Sequence, residues 1–195
     1  MRWRKAERAR LIAARLAATA EDRGRWSRDI GKRLEEAIGE VRGLIVSAYA
    51  PFRGEPVLRD LIRGIVARGG RTALPLVLAR GEPLQFRAWA PGEPTQKGLW
   101  DIPVPTQRAE VVQPNVVIAP LVGFDGACFR LGYGGGFYDR TLAAFATRPR
   151  VFGVGYALCA IPTIHPQPHD IPMDAIVTER AVLRSRGADA TASRS

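Results

Sequence analysis

Val116-Val-Ile-Ala-Pro-Leu121, then Arg130-Leu-Gly-Tyr-Gly-Gly-Gly-Phe-Tyr-Asp-Arg140, then the helix-like run Thr141 to Thr147, decide how this chain is read. The first run is short, apolar and β-branched, as a buried strand requires. A strand, a glycine-rich connection and a helix in that order form the repeating unit of an α/β sheet. Glycines at 132, 134, 135 and 136 let the backbone adopt positive φ and bring its N–H groups close to a ligand. A helix starting just afterwards directs its positive end at an anion. Arg130 and Arg140 suit bidentate phosphate contacts, and Asp139 suits a divalent cation. The loop has neither the Gly-Lys-Ser/Thr ending of a P-loop nor the G-x-G-x-x-G fingerprint. Plain turn chemistry explains a bare run of glycines equally well. The flanking charged and aromatic residues are harder to explain that way, and they favour a nucleotide-phosphate site.

Working outward, residues 3–20 and 26–41 read as two helices separated by Ala20-Glu-Asp-Arg-Gly24, with Ser27 as a plausible cap of the second. The first aligns Arg4, Arg8, Leu11 and Arg15 on one stripe. Leu44 to Tyr49 has strand character and ends in the turn signal Pro51-Phe-Arg-Gly54. Glu55 to Arg68 has the apolar spacing of an amphipathic helix, and Thr72 to Leu78 that of a second buried strand. Leu84 to Trp89 alternates like an exposed strand, and residues 90–110 form a long Pro/Gly-rich loop holding Trp100, a length common among functional lids. Val151 to Gly155 and Ala175 to Val177 complete the strands. The expected fold is a single three-layer α/β/α domain with a largely parallel sheet, spanning 1–183. A basic helical segment (1–42) precedes the α/β body (43–183), and 184–195 is a polar, disordered tail. Ligands of such sheets collect at strand carboxyl ends beside a switch in strand order. The glycine loop, the Glu55 turn and the segment after Gly155 all belong there.

Composition narrows the function classes. No apolar run approaches the ~18 residues that cross a bilayer, and the charged start has no apolar core behind it, so it is not a secretory signal. Cys128 and Cys159 stand apart, without a CxxC pair or a histidine at ligand spacing, and fit reduced thiols in a cytoplasmic protein. The net charge of +10 is concentrated at the ends: +5 over residues 1–42 and +3 over 180–195, against +2 in the body between. A basic arm of that kind binds nucleic acid in some proteins, but base-stacking aromatics are scarce there apart from Trp3 and Trp26. Anionic small molecules such as ATP are drawn to the same charge.

Asn115 to Asp125 followed by Arg130 to Arg140 resembles the signature of the 5-formyltetrahydrofolate cyclo-ligase family, also called 5,10-methenyltetrahydrofolate synthetases. The likeness continues through His169-Asp-Ile-Pro-Met-Asp174 and Val177-Thr-Glu179, and upstream through Trp100-Asp-Ile-Pro103, the Glu55 turn and the basic first helix. It covers roughly residues 4–180. The resemblance implies an ATP- and Mg²⁺-dependent enzyme that converts 5-formyltetrahydrofolate to 5,10-methenyltetrahydrofolate, releasing ADP and phosphate. It implies a small-molecule folate substrate, with or without a polyglutamate tail, and a monomer or weak oligomer with no nucleic-acid or membrane partner.

Residue by residue, the resemblance makes Arg130, Leu131, Gly132, Tyr133, Gly134, Gly135, Gly136, Phe137 and Tyr138 the ATP-binding loop, with Arg4 and Arg8 reaching the phosphates from the first helix. Arg130 and Tyr138 are the implied catalytic pair. Tyr133 to Phe137 also touch the folate, Glu55 binds the pterin N–H edge, and Trp100 packs on the folate. Asp139 and Asp170 are the implied Mg²⁺ ligands. Two departures stand out: Cys128 occupies a place where the family often has glycine, and Gly135 one where other members carry a basic or other residue. Two other readings remain: a nucleic-acid module working through the basic ends, and a folate- or nucleotide-binding relative without turnover.

Overall fold

The computed structural model describes residues 2–185. Its centre is a seven-stranded sheet built from β1 (Ile45–Ser47), β2 (Arg71–Val77), β3 (Leu84–Ala88), β6 (Val116–Pro120), β9 (Arg150–Val154), β10 (Ala175–Val177) and β11 (Val182–Arg184), in the order β11-β10-β9-β6-β1-β2-β3. The five inner strands are parallel, and β3 and β11 close the edges antiparallel. Two small hairpins lie outside it: β4 (Thr95–Lys97) with β5 (Pro103–Pro105), and β7 (Gly123–Phe124) with β8 (Arg130–Leu131). The α/β class with a mostly parallel sheet is as the sequence predicts.

Alternation along β6 covers both faces of the sheet. Val116 and Ile118 pack with Ile30, Leu34 and Ile38 of α2 (Ala20–Ile38) and with Leu61 and Ile65 of α3 (Arg59–Ala67). Val117 and Ala119 face the other way, towards Leu142 of α4 (Phe137–Ala144), Cys128 and Met173. Continuous apolar strands are what a sheet buried on both faces needs. A third cluster joins Leu11 of α1 (Arg2–Ala17) to Val122, Leu131, Ile161 and Ile164, seating the basic helix across the β7–β8 hairpin.

Several boundaries differ from the sequence reading, each for an identifiable reason. The break between the first two helices lies at Ala18–Thr19, not at 20–24, because the Thr19 side chain accepts the Asp22 N–H at 3.0 Å and caps α2. Ser27 is therefore not a cap. It is buried mid-helix, donating to Arg23 O at 2.6 Å and accepting from Val57 N at 3.1 Å. The helix expected from Glu55 starts only at Arg59, leaving Glu55 in a turn. The 90–110 loop contains the β4–β5 hairpin. Arg184, assigned to the tail, ends the edge strand β11; residues 186–195 of that expected tail lie outside the described residues. The glycine loop does not follow β6 directly, because the β7–β8 hairpin intervenes. Its helix begins at Phe137 rather than Thr141, so Tyr138, Asp139 and Arg140 belong to a first helical turn.

Candidate functional site

The carboxyl ends of β1, β2 and β6 open into one cavity of about 560 Å³. Tyr49 and Ala50 follow β1, Pro120 ends β6, and the chain runs from β1 to a neighbour on one side and later fills the other, so the cavity sits at a switch in strand order. The turn holding Glu55, the glycine loop and the 167–170 segment beyond Gly155 all reach this cavity, as the sequence reading expects. Of the predicted residues, Arg4, Arg8, Glu55, Trp100, Arg130, Gly132, Tyr133, Gly134, Gly135, Gly136, Phe137, Tyr138, Asp139 and Asp170 line it. Leu131 does not. It is 1% exposed, and its side chain packs with Leu11 and Val122.

At one end the cavity is lined by paired charges. Arg130 binds Asp139 at 2.9 Å, both side chains nearly buried. Arg4 reaches Asp170 through both of its terminal nitrogens and donates to His165 O at 2.8 Å. Arg8 donates to Gly132 O at 2.7 Å, and burial and the neighbouring Arg4 lower its pKa. Burial alone would raise the Asp170 carboxyl, but hydrogen bonds from Arg4 and Gln167 N and the nearby positive charges hold it below its ordinary value. Ile171 N–H donates to Asp139 at 3.3 Å, bringing the two carboxylate segments together.

The glycines admit these guanidiniums. A Cβ on Gly132 would stand 2.6 Å from an Arg130 nitrogen, and one on Gly136 2.8 Å from an Arg140 nitrogen. Gly134 and Gly136 also take φ of +99° and +63°, where other residues are strained. At Gly135 the Phe137 ring fills the side chain's place, 2.6 Å from a would-be Cβ, so a side chain has no room here unless that ring moves. Three buried polar atoms along this loop and helix lack any partner: Arg130 Nε, Arg140 Nε and the Tyr138 hydroxyl. Unpartnered buried donors cost about 1–3 kcal/mol each, a cost that an anionic ligand's oxygens would remove.

The other end is a fixed acceptor. Glu55 is 3% exposed; its carboxylate accepts Phe52 N–H at 2.9 Å and the Tyr133 hydroxyl at 2.8 Å. Burial pushes its pKa up to about 7, opposed by those two hydrogen bonds and by the charge of Arg15. Tyr133 and Tyr138 are raised well above the usual phenol range, chiefly by burial, so both are neutral donors at physiological pH. The Phe52 ring stacks on Trp100 with centroids 5.9 Å apart and meets Tyr133 edge-on at 5.7 Å. Trp100 is half exposed and takes a left-handed φ of 57° at the tip of the β4–β5 hairpin.

Sequence reasoning missed Phe52, whose backbone holds Glu55 and whose ring meets Trp100, and Arg15. Arg15 lies in line with Leu11 on the buried stripe of α1, and a charge on that stripe was the available signal. The turn signal Pro51-Phe-Arg-Gly54 likewise marked the Phe52 position without revealing a role.

Cys128 and Cys159 are buried and free, Cys159 pushed up to about 11 mainly by burial. Cys128 takes φ of 65°, which explains why glycine suits this position. Among the described residues no three His, Cys, Asp or Glu side chains cluster as a metal cage. No described helix is long and apolar enough to cross a membrane.

Fold and site together define an α/β protein with a cavity at the strand carboxyl ends, cationic donors at one end and a buried carboxylate at the other. The 5-formyltetrahydrofolate cyclo-ligase family model matches residues 1–179, and the chain belongs to that family. It is 32% identical over 179 residues to the 5-formyltetrahydrofolate cyclo-ligase of Escherichia coli, covering 86% of this chain and 96% of that protein. It is also 32% identical over 150 residues to the enzyme of that name from Mycolicibacterium smegmatis, covering 72% and 76%. Among solved structures, the 5,10-methenyltetrahydrofolate synthetase of Aquifex aeolicus superimposes with a TM-score of 0.78 at 26% identity, covering 94% of this chain and 93% of that one. The synthetase of Mycoplasma pneumoniae shares the fold, with a TM-score of 0.73 at 19% identity.

Proposed function

We propose that the chain converts 5-formyltetrahydrofolate and ATP to 5,10-methenyltetrahydrofolate, ADP and phosphate. The observation that carries this reading is the two-ended cavity in a member of this family: orphaned cationic donors around the glycine loop, and Glu55 with the Phe52–Trp100 aromatics opposite. The formyl oxygen of an amide is a poor leaving group. Attack of that oxygen on the γ-phosphorus of ATP forms a P–O bond, breaks the bond to ADP and makes the oxygen part of a phosphate ester. N10 then bonds to the formyl carbon and loses its proton, and the carbon–oxygen bond breaks to release phosphate. Such a reaction depends on positioning and charge neutralisation and requires no protein nucleophile.

Arg4, Arg8 and Arg130, with the loop N–H groups, bind the polyphosphate. Arg130 neutralises charge at the transferred group, and the neutral Tyr138 hydroxyl donates a hydrogen bond at the reacting centre. Glu55 accepts N–H groups of the pterin edge, and Trp100 covers the ring. Asp139 and Asp170 have the donor chemistry for Mg²⁺, which takes one or two carboxylates together with phosphate oxygens. Because each is already paired with an arginine, they suit a cation that arrives with the nucleotide. Bound there, Mg²⁺ would neutralise phosphate charge.

The test is formation of methenyltetrahydrofolate, followed by its near-ultraviolet absorbance, from the folate, ATP and Mg²⁺. Product that requires ATP and disappears with EDTA is expected. Binding of both ligands without product would instead identify a relative that does not turn over, and binding of neither would overturn the reading.

A further inference from the structure

Among the described residues Arg15 is the largest fully buried side chain, at 1% exposure, although it carries a permanent charge. Among the described residues it has no carboxylate within ion-pair distance. Its donors go elsewhere: Nε to Arg53 O at 2.9 Å, one terminal nitrogen to Leu121 O at 3.1 Å, and the other to the Tyr133 hydroxyl oxygen at 2.7 Å. Each acceptor belongs to a different segment that reaches the cavity: the turn before Glu55, the residue after β6 and the glycine loop. α1 is held close against that turn, since a Cβ on Gly54 would stand 3.2 Å from Leu16.

A buried unpaired charge is strongly destabilising, so its compensation is informative. A guanidinium has only donors. By occupying a lone pair of the Tyr133 oxygen, it obliges the single phenolic proton to point away. Glu55 accepts that proton at 2.8 Å; the competing acceptor, Phe52 O, is at 3.4 Å. The positive charge on α1 therefore meets its negative partner across one hydroxyl.

We propose that Arg15 is a positioning residue for the folate end, locking the Tyr133 hydroxyl as a donor to Glu55 and so holding Glu55 as a charged acceptor for the pterin N–H groups. This rests on the function proposed above. Glu55 already bonds Phe52 N and Tyr133, so its remaining lone pairs are the ones left for a ligand. The titratable groups facing it are Arg15 from α1, Tyr133 from the glycine loop, Tyr138 from α4 and Tyr49 from the end of β1. Of these only Arg15 is charged. Burial favours the neutral acid and Arg15 opposes it, so without Arg15 the carboxylate ionises at higher pH. Folate affinity near neutral pH then falls and recovers as pH rises.

Arg15→Gln and Arg15→Lys, checked for native folding by circular dichroism, test this through separate KM values for the two substrates against pH. For Arg15→Gln, folate KM at pH 7 is expected to rise about tenfold, the worth of a hydrogen bond to a charged group, with ATP KM held within about twofold. The midpoint of kcat/KM for folate moves to higher pH. Arg15→Lys keeps the charge and restores the midpoint, though the fork geometry is lost. If Arg15→Gln fails to fold, Tyr133→Phe breaks the same link and must reproduce the rise in folate KM and the alkaline shift. An unchanged folate KM and midpoint in folded Arg15→Gln or Tyr133→Phe, or equal losses for both substrates at every pH, would overturn the proposal. Wild-type protein that binds the folate but makes no product would fail the proposed function alone; the comparison then proceeds on folate affinity read by tryptophan fluorescence. Wild-type protein that binds no folate would overturn both.

Discussion

The two ends of the cavity treat charge in opposite ways. At the glycine-loop end each predicted carboxylate is already matched: Asp139 by Arg130 and Asp170 by Arg4. At the Glu55 end a single carboxylate sits among hydroxyls, a backbone N–H and aromatic rings, with its cation one hydroxyl away. The first arrangement holds arginines and carboxylates in place until a highly charged ligand exchanges their partners. The second is a rigid, poorly solvated acceptor, which suits a flat ligand with N–H groups and little charge. A preformed site costs less on binding, whereas the paired end must break contacts before it gains new ones. The physics of the substrates we propose differs in the same way.

Breaking the paired end should have the largest effect. Arg130→Met is expected to lower kcat by about 10²–10³-fold, the usual cost of losing one transition-state donor. It also lowers unfolding stability by about 3 kcal/mol, because Asp139 is left buried without its partner. Kinetics and a denaturant melt read the two effects, and a double change with Asp139→Asn should recover stability but not activity. Asp139→Asn alone should lower kcat about 10²-fold while leaving folate affinity unchanged; a matching loss of folate affinity would break the division into two ends.

Glu55→Gln sharpens the comparison from the other side. Folate KM should rise about ten- to fiftyfold through loss of a charged acceptor, with ATP KM unchanged. Stability carries a second signature. Because burial raises the folded pKa of Glu55 to about 7, above its unfolded value of 4.5, its contribution is fully present below pH 4.5 and is lost as pH rises through 7. For the substrate-free protein that amounts to about 3 kcal/mol across the window. Glu55→Gln should flatten this part of the stability–pH curve, measured by urea unfolding between pH 4.5 and 8; an unaltered slope would show that Glu55 is not its source.

Smaller effects complete the series. Trp100→Ala should raise folate KM about fivefold, the worth of one aromatic stack of about 1 kcal/mol, and leave ATP KM alone. Cys128→Gly lies at neither end and acts as a control. Relief of its left-handed strain, about 1 kcal/mol, offsets the loss of a small buried side chain, so stability should change by less than about 1 kcal/mol with no kinetic effect.

The primary structure by itself determined the α/β class and the parallel core, because strands buried on both faces must be continuous apolar runs and helices must show their 3.6-residue period. It also marked the glycine loop, since only glycine admits that backbone and the guanidiniums packed on it. Helix starts were less legible: Thr19 and Ser27 carry the same hydroxyl, and only packing against Val57 shows that Ser27 is interior. Glu55 could be singled out by resemblance, but its depth, and therefore its altered proton affinity, came from tertiary burial. Tertiary structure alone decided that Asp139 and Asp170 are arginine partners before they meet any cation, and that Arg15 is buried against Tyr133. The reason is range. Propensity and periodicity act over a few residues, whereas the contacts of Arg15, Glu55 and Asp170 join segments tens of residues or more apart, and the burial that sets their chemistry exists only once those segments have closed together.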